Sequence, residues 1–347
     1  MKKLLLFLFL LSAVAIAGDR AAIGDGNFSN TSALSKERVA VCGNGVKENG
    51  EDCDGTDLSI FTCENTGNRG GTLTCDGSCN LVTTACCGDP PTANLVSWWD
   101  SYDIDGDETW NSAYSDGQSL SGGWEDKGTI NLELAVSNAS FRPVVSTSCI
   151  NGLPCIVFDG VNDYLEGASV SAWNLLHDGS DFTAYTVWKT VETNPDSLIC
   201  LWTTQGSPGS GARGATHFFD DRSGVPRNNR ELFFSHSGTL NIFNNVSADN
   251  VSSAGQWHIS VSKTDDDAGA GADNFVYVDG TLVASEIRVN AYSASNATRN
   301  LTLAYPAGCA LETTYYSQIL IYSAAHDNTA RTEVEDWLEC AYGAFPQ

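Results

Sequence analysis

Three aspartates at alternate positions are the residues of this chain whose spacing has the clearest chemical meaning. Asp103, Asp105 and Asp107 surround Gly106, which permits a tight bend between them. Carboxylate oxygens gathered on such a loop are the hard ligands that calcium prefers. The loop is not an EF-hand, because Glu108 occupies the position that requires glycine. The segment therefore predicts a calcium site, with a solvated acidic turn as the alternative.

No catalytic arrangement is recognisable in the sequence. Glycoside cleavage needs two positioned carboxylates, and the acidic stretch nearest to a glycosidase motif, residues 333–339, has helical spacing. The five histidines lack metal-protease spacing, and no Gly-x-Ser-x-Gly motif is present. The glycine-rich segment 206–214 has no phosphate-binding lysine after it and is typical of a loop. We therefore expect a non-enzymatic protein.

Twelve cysteines indicate a disulfide-bonded protein. Six are close together and are expected to pair among themselves: Cys42, Cys53, Cys63, Cys75, Cys79 and Cys86. The other six are spread along the chain: Cys87, Cys149, Cys155, Cys200, Cys309 and Cys340. A zinc site at Cys75 and Cys79 is the alternative, and an oxidising compartment disfavours it.

The N-terminal residues predict export. Lys2 and Lys3 precede an apolar run and an Ala-x-Ala site, which is typical of a signal peptide over residues 1–17. Residues 18–41 are polar and are expected to form a linker. A net charge of −25 disfavours nucleic acid as a partner. The sequence has no second long apolar run, so we do not expect membrane insertion. We expect an extracellular or cell-surface protein.

From the prolines at 90–91 onward, short runs of β-branched and aromatic residues alternate with turn residues. This pattern predicts a mainly β, two-sheet antiparallel jelly-roll sandwich over residues 92–347. Apolar residues from Ala330 to Tyr342 recur at helical spacing, which predicts one C-terminal helix capped by Asn328 or Thr329. The predicted strands are 95–99, 155–159, 182–190, 198–203, 231–236, 239–243, 257–263, 274–279, 281–284, 300–304 and 316–322.

Several segments resemble laminin-G-like, concanavalin-A-like lectin domains. The segment Asn151–Tyr164, with its Asn-Gly-Leu-Pro and Phe-Asp-Gly steps, is similar to a signature of that family. The segments 95–100, 124–128, 256–280 and 317–343 resemble its opening strand, Trp-x-Asp-x-Gly step, central hairpin and closing strand with tail. The resemblance spans residues 94–343 and implies an antiparallel jelly roll. Carbohydrate binding is one function found on that fold.

Residues 42–87 resemble the cysteine-rich disulfide repeat of myxobacterial-type surface proteins. The Cys-Gly-Asn-Gly start at Cys42 and the Glu51–Gly55 step carry this resemblance. A unit this small buries little apolar surface, so cross-links must stabilise it. We therefore divide the exported chain into a small disulfide-rich module, residues 42–87, and a jelly-roll domain.

The jelly-roll resemblance bears on the remaining cysteines, for which fifteen pairings exist in principle. Cys149 and Cys155 flank a short turn and are expected to pair. The ends of a jelly roll tend to meet, which favours Cys87 with Cys340 and leaves Cys200 with Cys309.

The sequence thus favours a secreted or cell-surface module that binds carbohydrate or another surface component, with calcium as a candidate ion. A structural or adhesive protein without sugar binding is the alternative, and a polysaccharide-active enzyme is disfavoured. Trp110 and Trp173 lie in looser segments and are the candidates for an exposed, sugar-stacking ring.

Overall fold

A computed structural model describes residues 40–107, 114–191, 198–205, 213–220, 229–237, 243–266, 272–287, 295–304, 309, 312–343 and 345. Residues 40–347 form one compact unit. The predicted signal peptide (1–17) and nearly all of the predicted linker (18–41) lie outside the described residues.

The described chain is mainly β, with one α-helix near its C-terminal end. The strands through the first half are β1 (Thr74–Cys75), β2 (Leu81–Val82), β3 (Leu95–Asp100), β4 (Gln118–Ser119), β5 (Leu134–Ala135), β6 (Val144–Ile150), β7 (Leu153–Asp159), β8 (Leu165–Gly167) and β9 (Phe182–Val191). Those that follow are β10 (Leu198–Thr203), β11 (Arg213–Asp220), β12 (Arg230–Ser237), β13 (Phe243–Ala248), β14 (His258–Thr264), β15 (Asn274–Val278), β16 (Thr281–Glu286), β17 (Leu301–Leu303) and β18 (Thr313–Tyr322). The helix α1 spans Asn328–Tyr342, and short 3₁₀ turns occupy Glu64–Thr66, Ala139–Phe141 and Asn174–Leu176.

Two antiparallel sheets form the sandwich, as the sequence predicts. One has the order β13-β12-β11-β10-β17-β8-β5. The other has the order β16-β15-β14-β9-β18-β7-β6-β4, with β3 also paired to β18. The long strand β18 is central, since β9 lies along one side of it while β7 and β3 share the other. The described strand pairs are all antiparallel, so the predicted fold class is confirmed.

The alternation of side chains along β9 shows how the layers are held together. Ala184 and Trp188 point into the apolar core between the two sheets. Tyr185 and Val187 point to the opposite face and contact a second core that contains Leu338 of α1. A strand that is apolar on both faces must be covered on both, and the helix provides the second cover. The nine-stranded sheet is therefore the middle layer.

Six disulfides join the twelve cysteines. Three lie inside the module, as Cys42–Cys79, Cys53–Cys75 and Cys63–Cys86. The others are Cys87–Cys340, Cys149–Cys155 and Cys200–Cys309, the same pairs that the sequence analysis favours. Because Cys75 and Cys79 are both in disulfides, neither offers a thiolate to zinc.

The disulfide-rich module packs on the sandwich rather than standing apart from it. Tyr102 donates a hydrogen bond to the backbone oxygen of Glu64 at 2.9 Å. The indole of Trp337 in α1 donates to the backbone oxygen of Gly88 at 2.7 Å. Together with the bond from Cys87 to the end of the helix, these contacts join the module to the sandwich and α1. No helix in the described ranges is long and apolar enough to cross a membrane.

Candidate functional site

A cleft of about 690 Å³ opens where the disulfide-rich module meets the first strand of the sandwich. The module supplies Arg69, the segment that follows it supplies Asp89, and β3 supplies Trp98. Loops of the sandwich complete the walls with Asp105, Glu125 and Lys127. Ligand sites of proteins have this size and often lie between domains, so the cleft is the candidate binding site of the chain.

Arg69 is the link between the module and the sandwich at the floor of the cleft. Its Nε donates to Oδ2 of the fully buried Asp100 at 2.8 Å. Its Nη1 lies 3.2 Å from Oδ1 of the exposed Asp89. The guanidinium also lies 4.8 Å from the centre of the Trp98 ring. A planar guanidinium can bind both carboxylates and lie over the ring at the same time. The contact with the ring restricts the orientation of the indole.

Lys127 also lies close to this indole. Its Nζ lies 4.2 Å from the ring centre of Trp98 and donates to Oδ2 of Asp103 at 2.6 Å. Cation–π contacts of this kind contribute about 0.5–2 kcal/mol each. Trp98 therefore lies close to two cations, and the residue is only 5% exposed.

The segment Trp124–Gly128 explains how Lys127 is positioned. The Asp126 carboxylate accepts backbone N–H bonds from Trp98 at 2.8 Å, Gly128 at 2.8 Å and Leu132 at 3.1 Å. Burial nevertheless raises the pKa of Asp126, against the opposing effect of these donors. A Cβ on Gly128 would lie 2.4 Å from the Cα of Ser97, so only glycine allows this close approach to β3. Asp126 and Gly128 thus have structural roles.

The acidic loop forms one rim of the cleft. One carboxylate oxygen each from Asp103, Asp105 and Asp107 lies within 4.8 Å of the others. Two oxygens on opposite sides of a calcium ion with bonds of about 2.4 Å would be about that far apart. Asp103 is buried, while Asp105 and Asp107 are exposed. Burial, together with the charges of Asp107 and Asp103, raises the pKa of Asp105. The three residues fit a calcium site, although one oxygen of Asp103 is already paired with Lys127.

A second cleft of about 550 Å³ lies at the β14–β15 hairpin. There Nδ1 of His258 is 2.7 Å from Oδ2 of Asp279. The other oxygen of Asp279 accepts the N–H of Ile259 at 2.8 Å. Burial lowers the pKa of His258, but the hydrogen bond and charge of Asp279 outweigh it and raise that pKa overall. The pair joins the two ends of the hairpin. His258 and Asp279 therefore have a structural role.

Acidic side chains in the segment Asn151–Tyr164 also hold the backbone. Asp159 Oδ1 accepts the N–H groups of Val161 at 2.8 Å and Asn162 at 3.2 Å, and Asp163 accepts that of Asp159 at 2.9 Å. Trp173 is fully buried, so it is not an exposed sugar platform. Trp110 lies outside the described residues.

Several solved structures have a backbone similar to that of this chain. The receptor binding domain of botulinum neurotoxin C/D mosaic serotype matches with a TM-score of 0.50 and 10% identity over 73% of this chain and 55% of that chain. The serotype D binding domain matches with a TM-score of 0.45 and 12% identity over 63% of this chain and 50% of its own. A sialidase of Trypanosoma rangeli in complex with sialic acid matches with a TM-score of 0.43 and 15% identity, over 74% of this chain and 35% of that chain.

At these identities the likeness shows the fold alone, and the chain spans between 35% and 55% of the length of these three structures. No protein-family model matches the chain. No curated protein matches it either.

The sequence analysis identified the acidic loop but missed the rest of the cleft. Arg69 lies in the module, Trp98 in β3 and Lys127 after the Trp124 step, so nothing local connects them. Only Arg69 gives a signal in the sequence. A lone arginine in a small acidic module is a candidate for an interface ion pair.

Proposed function

We propose that this chain is an exported binding module whose cleft between the disulfide-rich module and the sandwich takes a carbohydrate or another polar component of an extracellular surface. The observation that carries the proposal is the cleft itself, with an oriented indole, two cations and an acidic rim in a volume of about 690 Å³. A few convergent polar groups in a cleft of this size suit a ligand with many hydroxyl groups.

Calcium is the ion that would suit the rim. Asp103, Asp105 and Asp107 would hold it through carboxylate oxygens. Bound there, it would offset the mutual repulsion of the three aspartates and fix the loop that carries Asp105 into the cleft. Calcium sites commonly include water among their ligands, which leaves positions that ligand hydroxyls could take.

We favour binding over catalysis because the main charged groups of the cleft already hold structural partners. Arg69 pairs with Asp100 and Asp89, and Lys127 pairs with Asp103. Asp126 is occupied by three backbone N–H groups. Side chains fixed in this way can orient a ligand without exchanging protons with it.

The fold supports a binding role, and the disulfides support an extracellular location. The neurotoxin domain of similar fold is a receptor binding domain, so this architecture can serve binding. Six disulfides are typical of proteins in oxidising compartments outside the cytosol. An extracellular or cell-surface location would bring the cleft to glycans and to calcium.

A glycan array with and without calcium tests the proposal. We expect the chain to bind a defined glycan, and we expect binding to weaken when calcium is removed. The double variant Asp105→Asn and Asp107→Asn should lose the calcium response, and it leaves the Lys127–Asp103 pair intact. Glu333→Gln removes one exposed charge from α1, away from the cleft, and should bind as the unmodified protein does.

Absence of binding to every glycan in both conditions would reject carbohydrate recognition and favour the structural or adhesive alternative. Binding that is unaffected by both calcium and the double variant would retain the glycan site and reject the calcium role.

A further inference from the structure

The disulfide-rich module contains a second acidic cluster, distinct from the rim of the cleft. Glu51 and Asp54 lie on the loop that follows the Cys-Gly-Asn-Gly start, and a carboxylate oxygen of each lies within 4.8 Å of the other and of the Cys79 sulfur. Asp54 is completely buried. The Cys79 sulfur is bonded to Cys42, so it is not a thiolate ligand.

Each of these carboxylates uses one oxygen to hold the loop. Oδ2 of Asp54 accepts the N–H groups of Gly43 at 2.9 Å and Asn44 at 3.0 Å. Oε2 of Glu51 accepts the N–H of Glu48 at 3.0 Å. The loop therefore wraps around the two acids, and their remaining oxygens are turned to the inside.

Those remaining oxygens are buried and have no hydrogen-bond partner among the residues that the structure describes. Both Oε1 of Glu51 and Oδ1 of Asp54 are in this state. An unsatisfied buried acceptor is costly, and two carboxylates with like charge at short range add repulsion. A cation between them would remove both costs. A proton shared by the two acids is the competing explanation.

We propose that this loop binds a calcium ion through Glu51 and Asp54. Both ligands are hard oxygens, which suits calcium and does not suit zinc or copper. Glu48 is linked to Glu51 through its backbone N–H, while its own Oε2 accepts the N–H of Val41 at 2.8 Å. Waters would complete the coordination shell. The ion would act as a further cross-link in a module whose buried apolar residues, from Ala40 to Cys87, are four half-cystines and Leu73.

Equilibrium calcium binding to the full, disulfide-bonded chain tests this inference. The background is the Asp105→Asn, Asp107→Asn variant, which removes the rim site of the cleft. We expect that variant to bind one calcium ion per chain, with a dissociation constant of about 1 mM or tighter, as in extracellular modules. Adding Glu51→Gln should weaken this binding by about tenfold or more, because it removes a charged ligand.

Asp57→Asn is the matched control. Asp57 lies on the same loop, but its two oxygens accept the N–H groups of Lys47 at 2.9 Å and Ser59 at 3.1 Å. It should therefore leave calcium affinity unchanged. Disulfide mapping of each variant checks that the module has formed. Slower amide hydrogen exchange over residues 43–54 on addition of calcium gives a second readout.

Two results would overturn the inference: no calcium bound by the rim-site variant, or equal affinity with and without Glu51→Gln. The first would favour the shared proton. The inference is independent of the proposed function. If the rim variant and the unmodified protein each bind one calcium ion, and Glu51→Gln weakens that binding, the rim site fails while the module site stands.

Discussion

At the scale of single residues, many acidic side chains of this chain serve the backbone. Asp126 accepts three N–H groups, Asp279 accepts that of Ile259, and Asp159 accepts two. Short polar side chains compete for backbone groups in turns. A negative charge in the sequence is therefore weak evidence for a ligand site here. Glu51 and Asp54 differ from these three aspartates because, among the described residues, each has one buried oxygen without a hydrogen-bond partner and the two acids lie together.

His326 gives a residue-scale prediction about acid stability. The ring is buried, and its Nδ1 lies 2.8 Å from the Tyr185 hydroxyl, which can donate to the neutral imidazole. Burial lowers the pKa of His326 from 6.5 to about 4. The unfolded chain then binds a proton between pH 6.5 and 4 that the folded chain does not. This residue therefore reduces the free energy of unfolding as the pH falls through that window, by up to about 3 kcal/mol.

His326→Asn removes the titrating group and tests this effect. The free energy of unfolding, measured by denaturant titration, should fall less steeply from about pH 7 to about pH 4 in the variant. Other acids and histidines titrate in both proteins, so the difference between them isolates His326. A constant difference at every pH would show that His326 does not contribute in this way.

At the scale of elements, α1 shows which features a pattern predicts well. Apolar residues at helical spacing give Val334, Trp337 and Leu338 a common buried face. The N-cap is one residue before the predicted Asn328 and two before the alternative Thr329, because Asp327 accepts the N–H of Ala330 at 2.9 Å. Its extended backbone places the carboxylate over the first turn, which neither Asn328 nor Thr329 can do from inside the helix.

Asp327→Ala should therefore destabilise the protein by about 1 kcal/mol, the usual cost of losing an N-cap. Asp336→Ala is the matched control, since it removes an exposed aspartate from the middle of the same helix and should change stability by less than about 0.5 kcal/mol. Chemical denaturation at neutral pH compares the two. Equal losses in both variants would mean that Asp327 contributes only its charge.

Strand prediction failed where polar residues interrupt a buried strand. The strand β11, Arg213–Asp220, was missed because His217 and Asp220 break its apolar run, yet both are buried. His217 lies 2.7 Å from the buried Glu231 of β12. Such a pairing between neighbouring strands cannot be deduced from one strand alone. The predicted strand 239–243 lies mostly outside the described residues, and β13 begins at Phe243.

At the scale of the whole molecule, the sequence predicted individual elements but did not predict the cleft that forms between them. The helix and most of the longer strands depend on neighbouring residues and were predicted, whereas several strands, including β6 and β11, were not. The cleft depends on Arg69, Trp98 and Lys127, which are brought together only when the module packs on β3. Contacts across such distances depend on topology, and a single sequence carries little direct information about them.

The disulfide Cys87–Cys340 gives the prediction that belongs to this scale. It joins residues 253 positions apart and ties the module to the end of α1, whereas Cys149–Cys155 closes a separation of 6. In the chain-entropy model a cross-link stabilises by restricting the unfolded chain, and longer loops gain more. We expect Cys87→Ser with Cys340→Ser to lower the free energy of unfolding by about 5 kcal/mol, and Cys149→Ser with Cys155→Ser to lower it by about 2 kcal/mol.

Denaturant unfolding of both double variants, with the other bonds verified by mass mapping, compares these two losses. Similar losses in the two variants would show that folded-state contacts, rather than loop length, determine the contribution of each bond.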